Sequence, residues 1–167
     1  MIDERQDPVL AYVGIGSNLL DPQRQVENAI TLLDDLPGCR VVHKSSLYQS
    51  APLGDIEQAD FINAVVSLET AVPAAILLSC FKELERSLGR NPGGPRWGPR
   101  PLDLDILVYG NAIVDSADLQ IPHPGIAERN FVLLPLREIA AELVIPGLGP
   151  VAQIPVDETS PRIALIN

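Results

Sequence analysis

Sixteen prolines and twelve glycines cut this chain into short segments, and between the cuts the apolar residues switch between strand and helix periods. No long uniform helix can run through such punctuation. VLAYVGI, residues 9 to 15, is β-prone and almost wholly apolar, as expected of a strand covered on at least one face, and it ends at Gly16-Ser17-Asn18. Asp21-Pro22 then reads as an N-cap with proline at the first helical position, followed by Val26, Ala29, Ile30 and Leu33 at helical spacing until Pro37-Gly38. A second strand is expected within 40–48 and a third within 61–70, with a turn-rich loop carrying Pro52-Leu53-Gly54 between them.

Pro73 to Leu88 holds the strongest helical pattern, apolar at 74, 77, 78, 81, 84 and 88, and Gly89 closes it. RNPGGPRWGPRP, residues 90–101, is too rich in proline and glycine for regular structure and reads as a loop that is mobile or held by a ligand. LDLDILVYG, 102–110, is the fourth strand. A loop at Pro122-His123-Pro124-Gly125 precedes a helix from Arg129 to Ile139, expected to be interrupted or redirected near Pro135. The last twenty residues read as irregular with room for one short strand.

The order β-α-β-β-α-β predicts an α+β, ferredoxin-like antiparallel sheet with its helices on one face and long active-site loops. Residues 1–8 are charged and polar and read as a loose lead-in, and 9–167 as a single domain of ordinary size. The same lead-in lacks the apolar stretch of a secretory signal, and no apolar run approaches the ~20 residues that span a bilayer, so a cytoplasmic protein with no membrane partner is expected. A formal charge of −10 argues against nucleic acid as a partner. Cys39 and Cys80 lie in unlike contexts with no metal-type spacing, which favours reduced thiols.

Asp103 and Asp105 are two apart in a strand-like run, so their carboxylates should share one face while Leu104, Ile106 and Val108 point the other way. Like charges that close favour protonation, and two magnesium ions would remove the penalty while giving a phosphate chain its ligands. An arbitrary DxD is more often a solvated strand entrance. Here Arg90, Arg96 and Arg100, the few clustered cations, fall within eleven residues just upstream, with Trp97 among them. Metal ions and arginines can neutralise the oxygens of a phosphate in transfer without a covalent intermediate.

Gly14-Ile15-Gly16 is no dinucleotide fingerprint, because Leu19 stands where the third glycine belongs, and no GxxxxGK[ST] occurs. His43 and His123 are too few and too dispersed for a zinc site; His123 reads as a phosphate or nucleotide donor or a loop stabiliser, His43 as structural. Glu85 falls at the edge of the buried helical stripe, either touching a nucleotide or paired on the surface.

VGIGSNL at 13–19, PLG at 52–54, DFINAVVSLET at 60–70, RWGPRPLDLDILVYG at 96–110 and IPHPGIAERNFVLLPL at 121–136 together resemble the 6-hydroxymethyl-7,8-dihydropterin pyrophosphokinase family. The resemblance covers nearly the whole chain. It implies a monomer of the folate pathway that moves the β,γ-pyrophosphoryl group of ATP to the pterin hydroxymethyl and releases AMP. By position, Asp103 and Asp105 resemble the ligands of two Mg2+ ions, Arg96 and Arg100 the triphosphate and transition-state cations, and Trp97 part of a loop closing over both substrates. Glu85, Ile106, His123 and Arg129 match nucleotide-contacting positions. Asn63 matches the residue that bonds the pterin edge, Phe61 and Phe131 its aromatic walls, and Ser50 and Leu53 its backbone contacts. The chain departs from the family pattern at Phe61, where tyrosine is frequent, at Pro92 and Asp118, where arginines occur, and at Lys82, where a glutamine occurs.

Overall fold

In the computed structural model, which describes residues 6–89 and 93–166, the near-continuous apolar run at the start becomes β1, Val9–Ser17, an inner strand of a six-stranded antiparallel sheet. Arg90 and Pro92 of the expected loop, and the first five residues of the lead-in, lie outside the described residues. β1 is followed by α1, Pro22–Asp34, β2, Cys39–Lys44, β3, Leu47–Ser50, β4, Phe61–Thr70, α2, Ala74–Ser87, and β5, Asp103–Tyr109. β1 lies between β4 and β5, and β2 and β3 both pair with β4. A small hairpin, β6, Val114–Asp115, and β7, Gln120–Ile121, leads to α3, Asn130–Ile139. A second small hairpin follows, β8, Val144–Ile145, with β9, Gly149–Pro150, and the chain returns to the sheet as β10, Ile163–Ile166, paired with β3.

The expected second strand divides in two because serine hydroxyls replace backbone partners there. Ser67 Oγ accepts from His43 N at 3.0 Å beside a register shift, and Ser45 Oγ accepts from Val65 N at 2.9 Å. Asp21 begins α1 with a left-handed backbone, φ 62°, and its side chain makes no capping bond, so proline at the first position defines that end instead of the expected cap. Pro135 sits inside α3 without interrupting it. The proline removes one helical bond, and burial of Val132, Leu133 and Leu136 against the sheet holds the axis together.

Both faces of the sheet are covered, which corrects the expectation of helices on one face only. Ala11, Val13, Ile15, Ala64, Val66, Leu104 and Ile106 pack with Val26, Ala29 and Leu33 of α1 and Leu77 and Phe81 of α2. The alternate residues Tyr12, Val65, Leu107 and Val108 pack with Leu133 and Leu136 of α3. A strand with water on one face alternates apolar with polar, and β1 does not alternate. Val108 was expected beside Leu104 and Ile106, but the register shifts so that Val13 opposes Ile106 and Tyr12 opposes Val108. Leu107 is the extra residue, and past it the strand's phase inverts.

Candidate active site

The floor of the site follows from the pairing of three strands. Gly16 of β1 lies opposite Asp103 of β5 on one side and Asn63 of β4 on the other, and Gly14 lies opposite Asp105. The two glycines give the sheet no side chains between the paired carboxylates and the Asn63–Phe61 end, and a cleft of about 440 Å3 opens there. A methyl group on Gly16 would stand 3.3 Å from Asn63 Oδ1. Glycines two apart on a strand were the available signal for this bare patch, although the pattern fails as a phosphate loop.

Asp103 and Asp105 share the cleft face as their spacing predicts. Asp103 Oδ2 is 3.2 Å from Arg100 Nη1. Asp105 keeps some exposed surface toward the cleft but is enclosed by protein on its other sides. Burial, then the charge of Asp103, pushes its carboxyl well above the ordinary carboxylate range, with Glu85 adding to the rise and Arg129 and Arg100 opposing it. A divalent cation between two such carboxylates would relieve both desolvation and repulsion, so the donor set fits magnesium. No cluster of three or more His, Cys, Asp or Glu side chains suited to a metal occurs among the described residues. Magnesium needs few protein ligands, so the two carboxylates are a donor set that could hold it.

Glu85 is 6 % exposed on α2, and its Oε1 accepts from the backbone N of Leu104 at 2.9 Å, between the two aspartates. It thus fixes the start of β5, a contact that only the packing of α2 against the sheet reveals. His123 borders the cleft with its backbone N bonded to Leu107 O and its Nδ1 accepting from Gly125 N at 3.0 Å. Burial, then the nearby Arg129, lowers its pKa, so at neutral pH the ring is uncharged with its proton on Nε2. A side chain on Gly125 would meet Arg129 Nε at 2.7 Å, so glycine lets that guanidinium lie across the loop.

The arginine loop is tied down by two residues that sequence reasoning missed. Asn18 N donates to Arg100 O at 3.0 Å, Asn18 Oδ1 accepts from Arg100 N at 2.8 Å, and Asn18 Nδ2 donates to Gln58 Oε1 and Ala59 O. Gln58 Nε2 completes the clamp by donating to Trp97 O at 2.6 Å. Trp97 is held in a left-handed conformation, φ 59°, its ring under the Arg96 guanidinium at 4.5 Å and so close to Gly54 that a Cβ there would lie 2.9 Å from Cε3. Such a backbone costs a non-glycine residue about 1–2 kcal/mol, which the clamp offsets.

At the other end lie Ser50, Leu53, Phe61, Asn63 and Phe131. Asn63 Nδ2 donates to Ser50 Oγ at 2.8 Å and more weakly to Tyr48 O, so its Oδ1 is the group left to accept from a ligand. Of the residues expected from the sequence, all line the cleft except Ile106, which is 3 % exposed within the core beneath it. Lys82 and Asp118 join the lining as exposed charges at its rim. His43 is exposed on β2, apart from the cleft, and both cysteines are free thiols, Cys39 Sγ lying 3.3 Å from Thr70 Oγ1.

Residues 12–141 match the family model described as 7,8-dihydro-6-hydroxymethylpterin-pyrophosphokinase. The chain is 43 % identical over 139 residues to a 2-amino-4-hydroxy-6-hydroxymethyldihydropteridine pyrophosphokinase of Haemophilus influenzae, with 83 % of this chain and 86 % of that one covered. It is 42 % identical over 135 residues to a protein of the same name from Pseudomonas aeruginosa, covering 81 % and 83 %. Among solved structures it resembles the wild-type Plasmodium falciparum HPPK-DHPS with pterin and p-hydroxybenzoate, at TM-score 0.68 and 15 % identity, over 92 % of this chain. The chain spans 42 % of that longer protein. That structural likeness carries the α+β fold, and the closer relatives carry the family.

Proposed function

The chain belongs to the 7,8-dihydro-6-hydroxymethylpterin-pyrophosphokinase family and catalyses pyrophosphoryl transfer to the hydroxymethyl-dihydropterin of folate synthesis; we propose that ATP is the donor and that the residues of the 440 Å3 cleft divide the work as follows. Asp103 and Asp105 hold two magnesium ions, whose contribution when bound is to neutralise the triphosphate. Arg100, held beside Asp103 by the Asn18 clamp, and Arg96 on the same loop face the transferred group. Glu85, Ile106, His123, Arg129 and Trp97 form the nucleotide side, Ile106 through its backbone alone because its side chain is in the core. His123 donates from Nε2 as a neutral ring.

On the pterin side, Phe61 and Phe131 cover the two ring faces while Asn63 Oδ1 accepts from a ring N–H, and Ser50, Leu53 and Trp97 complete the pocket. The hydroxymethyl oxygen loses its proton to solvent as it forms a bond to the β-phosphorus, the bond from that phosphorus to the α,β-bridging oxygen breaks, and AMP departs with the bridging oxygen. Positioning and charge neutralisation suffice, since no covalent intermediate is formed. The strand order β5-β1-β4-β2 supports a ferredoxin-like sheet, with α3 added on the second face, and residues 9–167 form one domain. We infer a monomeric, cytoplasmic enzyme, and the formal charge of −10 argues against nucleic-acid partners; no described helix is long and apolar enough to cross a membrane.

The observation that carries the metal assignment is the pair of carboxylates on one strand face opposite bare glycines. Asp103→Asn removes a ligand with little change in shape, so AMP formation from Mg-ATP and hydroxymethyl-dihydropterin should fall by roughly 100-fold or more while the circular dichroism spectrum is retained. A variant making AMP at the parent rate would refute the metal assignment. Release of pyrophosphate in place of AMP from the parent would refute attack at the β-phosphorus.

A further inference from the structure

The tail after β9 touches the pterin side of the cleft at three separate places. Asn130, buried at the first position of α3 between Arg129 and Phe131, donates both hydrogens of its amide to tail carbonyls, Asp157 O at 2.8 Å and Pro161 O at 2.7 Å. Its Oδ1 has no partner among the described residues, so the tail alone fixes the orientation of the amide. Arg162 continues the contact: its carbonyl accepts from Ala51 N at 2.9 Å, and its Nη2 lies 3.2 Å from Asp60 Oδ2, which also accepts from Gln49 Nε2. From Ile163 the tail pairs with β3, starting opposite Ser50, whose hydroxyl holds Asn63. The turn that presents these carbonyls is closed by Asp157 Oδ1, which accepts from Thr159 N and Thr159 Oγ1.

These contacts fall beside Phe131, Phe61 and Asn63. We propose that residues 157–166 are a positioning brace for the pterin pocket, acting through Asn130 and Asp60 to fix the spacing of its two aromatic walls. The brace lies beyond the residues that match the family model, and its purpose rests on the pterin assignment made above. A flat ring between two walls gains its contact only at one spacing, because dispersion falls off within an ångström of the optimum. Residues 157–166 hold that spacing before the ring arrives.

The test is steady-state kinetics of the full chain with ATP and hydroxymethyl-dihydropterin each varied, together with thermal unfolding. Asn130→Ala removes both amide bonds, and the pterin KM should rise about tenfold with kcat and the ATP KM changed less than about threefold. Arg162→Met alters a side chain that is 70 % exposed, and should raise the pterin KM about twofold to threefold with the other constants held. Phe131→Ala and Asn63→Ala serve as controls. If the controls raise the pterin KM and neither brace variant does, the brace is refuted while the pterin site stands. If the controls also leave it unchanged, the pterin assignment fails and the brace with it. A lower melting temperature with all kinetic constants preserved would make the tail a purely structural element and overturn the proposal.

Discussion

A carboxyl group whose pKa the fold raises binds more protons folded than unfolded, so its stabilisation is complete below the unfolded pKa and is lost as pH climbs through the folded one. Asp105 is such a group in the metal-free protein, because burial and then Asp103 disfavour its charge. Asp105→Asn keeps the shape and cannot ionise. The melting temperature of the variant relative to the parent should therefore rise with pH from about pH 4 upward, measured without divalent ions. A difference independent of pH would show that Asp105 does not carry the strain. Gly16 makes a second expectation at this scale: Gly16→Ala places a methyl 3.3 Å from Asn63 Oδ1, the acceptor proposed for the pterin. The pterin KM should rise by about tenfold with Mg-ATP binding little changed, and an unaltered pterin KM would move the ring away from Asn63. The aspartate pair was legible in the sequence because a strand's period of two is strict and aspartate is uncommon inside one. The contact of Glu85 with Leu104 N was not, since helical spacing places a residue on a face without saying which backbone group lies below it.

Among the elements, the loops that meet over the cleft are set by polar contacts across long sequence separations. Asn18, Gln58 and the Arg96–Arg100 segment lock together through hydrogen bonds spanning 39 to 82 residues, and local propensity carries no trace of such pairings. The strands and helices, by contrast, followed period and punctuation closely, and their departures have local causes. Ser45 and Ser67 hydroxyls divide one expected strand, and Leu107 inverts the phase of another. Proline and glycine told where the arginine loop lies but not what restrains it. Gln58→Ala removes the bond to the Trp97 carbonyl and one support of Asn18, leaving the left-handed Trp97 backbone without its strongest partner. Because the loop faces both substrates in the proposed scheme, kcat/KM for ATP and for pterin should fall together, by about tenfold. Trp97 is the only tryptophan, so its emission should report a changed environment in the ligand-free variant. Unchanged emission and unchanged kinetics would mean that Asn18 alone holds the loop.

For the whole molecule, one sheet serves two cores. Phe81 of α2, fully buried, packs with Val13 and Leu104 on one face, and Leu133 of α3, 1 % exposed, packs with Tyr12 and Leu107 on the other. The unbroken apolar character of β1 points to cover on at least one face without saying that both are covered, and the amphipathic segment Arg129–Ile139 does not reveal which face it will cover. The β-α-β-β-α-β order accounts for two helices, and the third is placed by long-range packing alone. Since β1, β4 and β5 contribute residues to both clusters, loosening either one exposes the backs of strands that the other needs. The two layers should therefore unfold as one unit. Phe81→Ala should cost about 3–5 kcal/mol and Leu133→Ala about 2–5 kcal/mol, each lowering the urea midpoint of the entire protein. Far-UV circular dichroism, dominated by helices and sheet, and Trp97 fluorescence, which reports the loop over the cleft, should give coincident transitions in the parent. In Leu133→Ala the two curves should shift together to lower urea. If instead the fluorescence transition of that variant moves ahead while the dichroism midpoint stays at the parent value, the loop over the cleft unfolds separately from the sheet, and the shared sheet does not couple them.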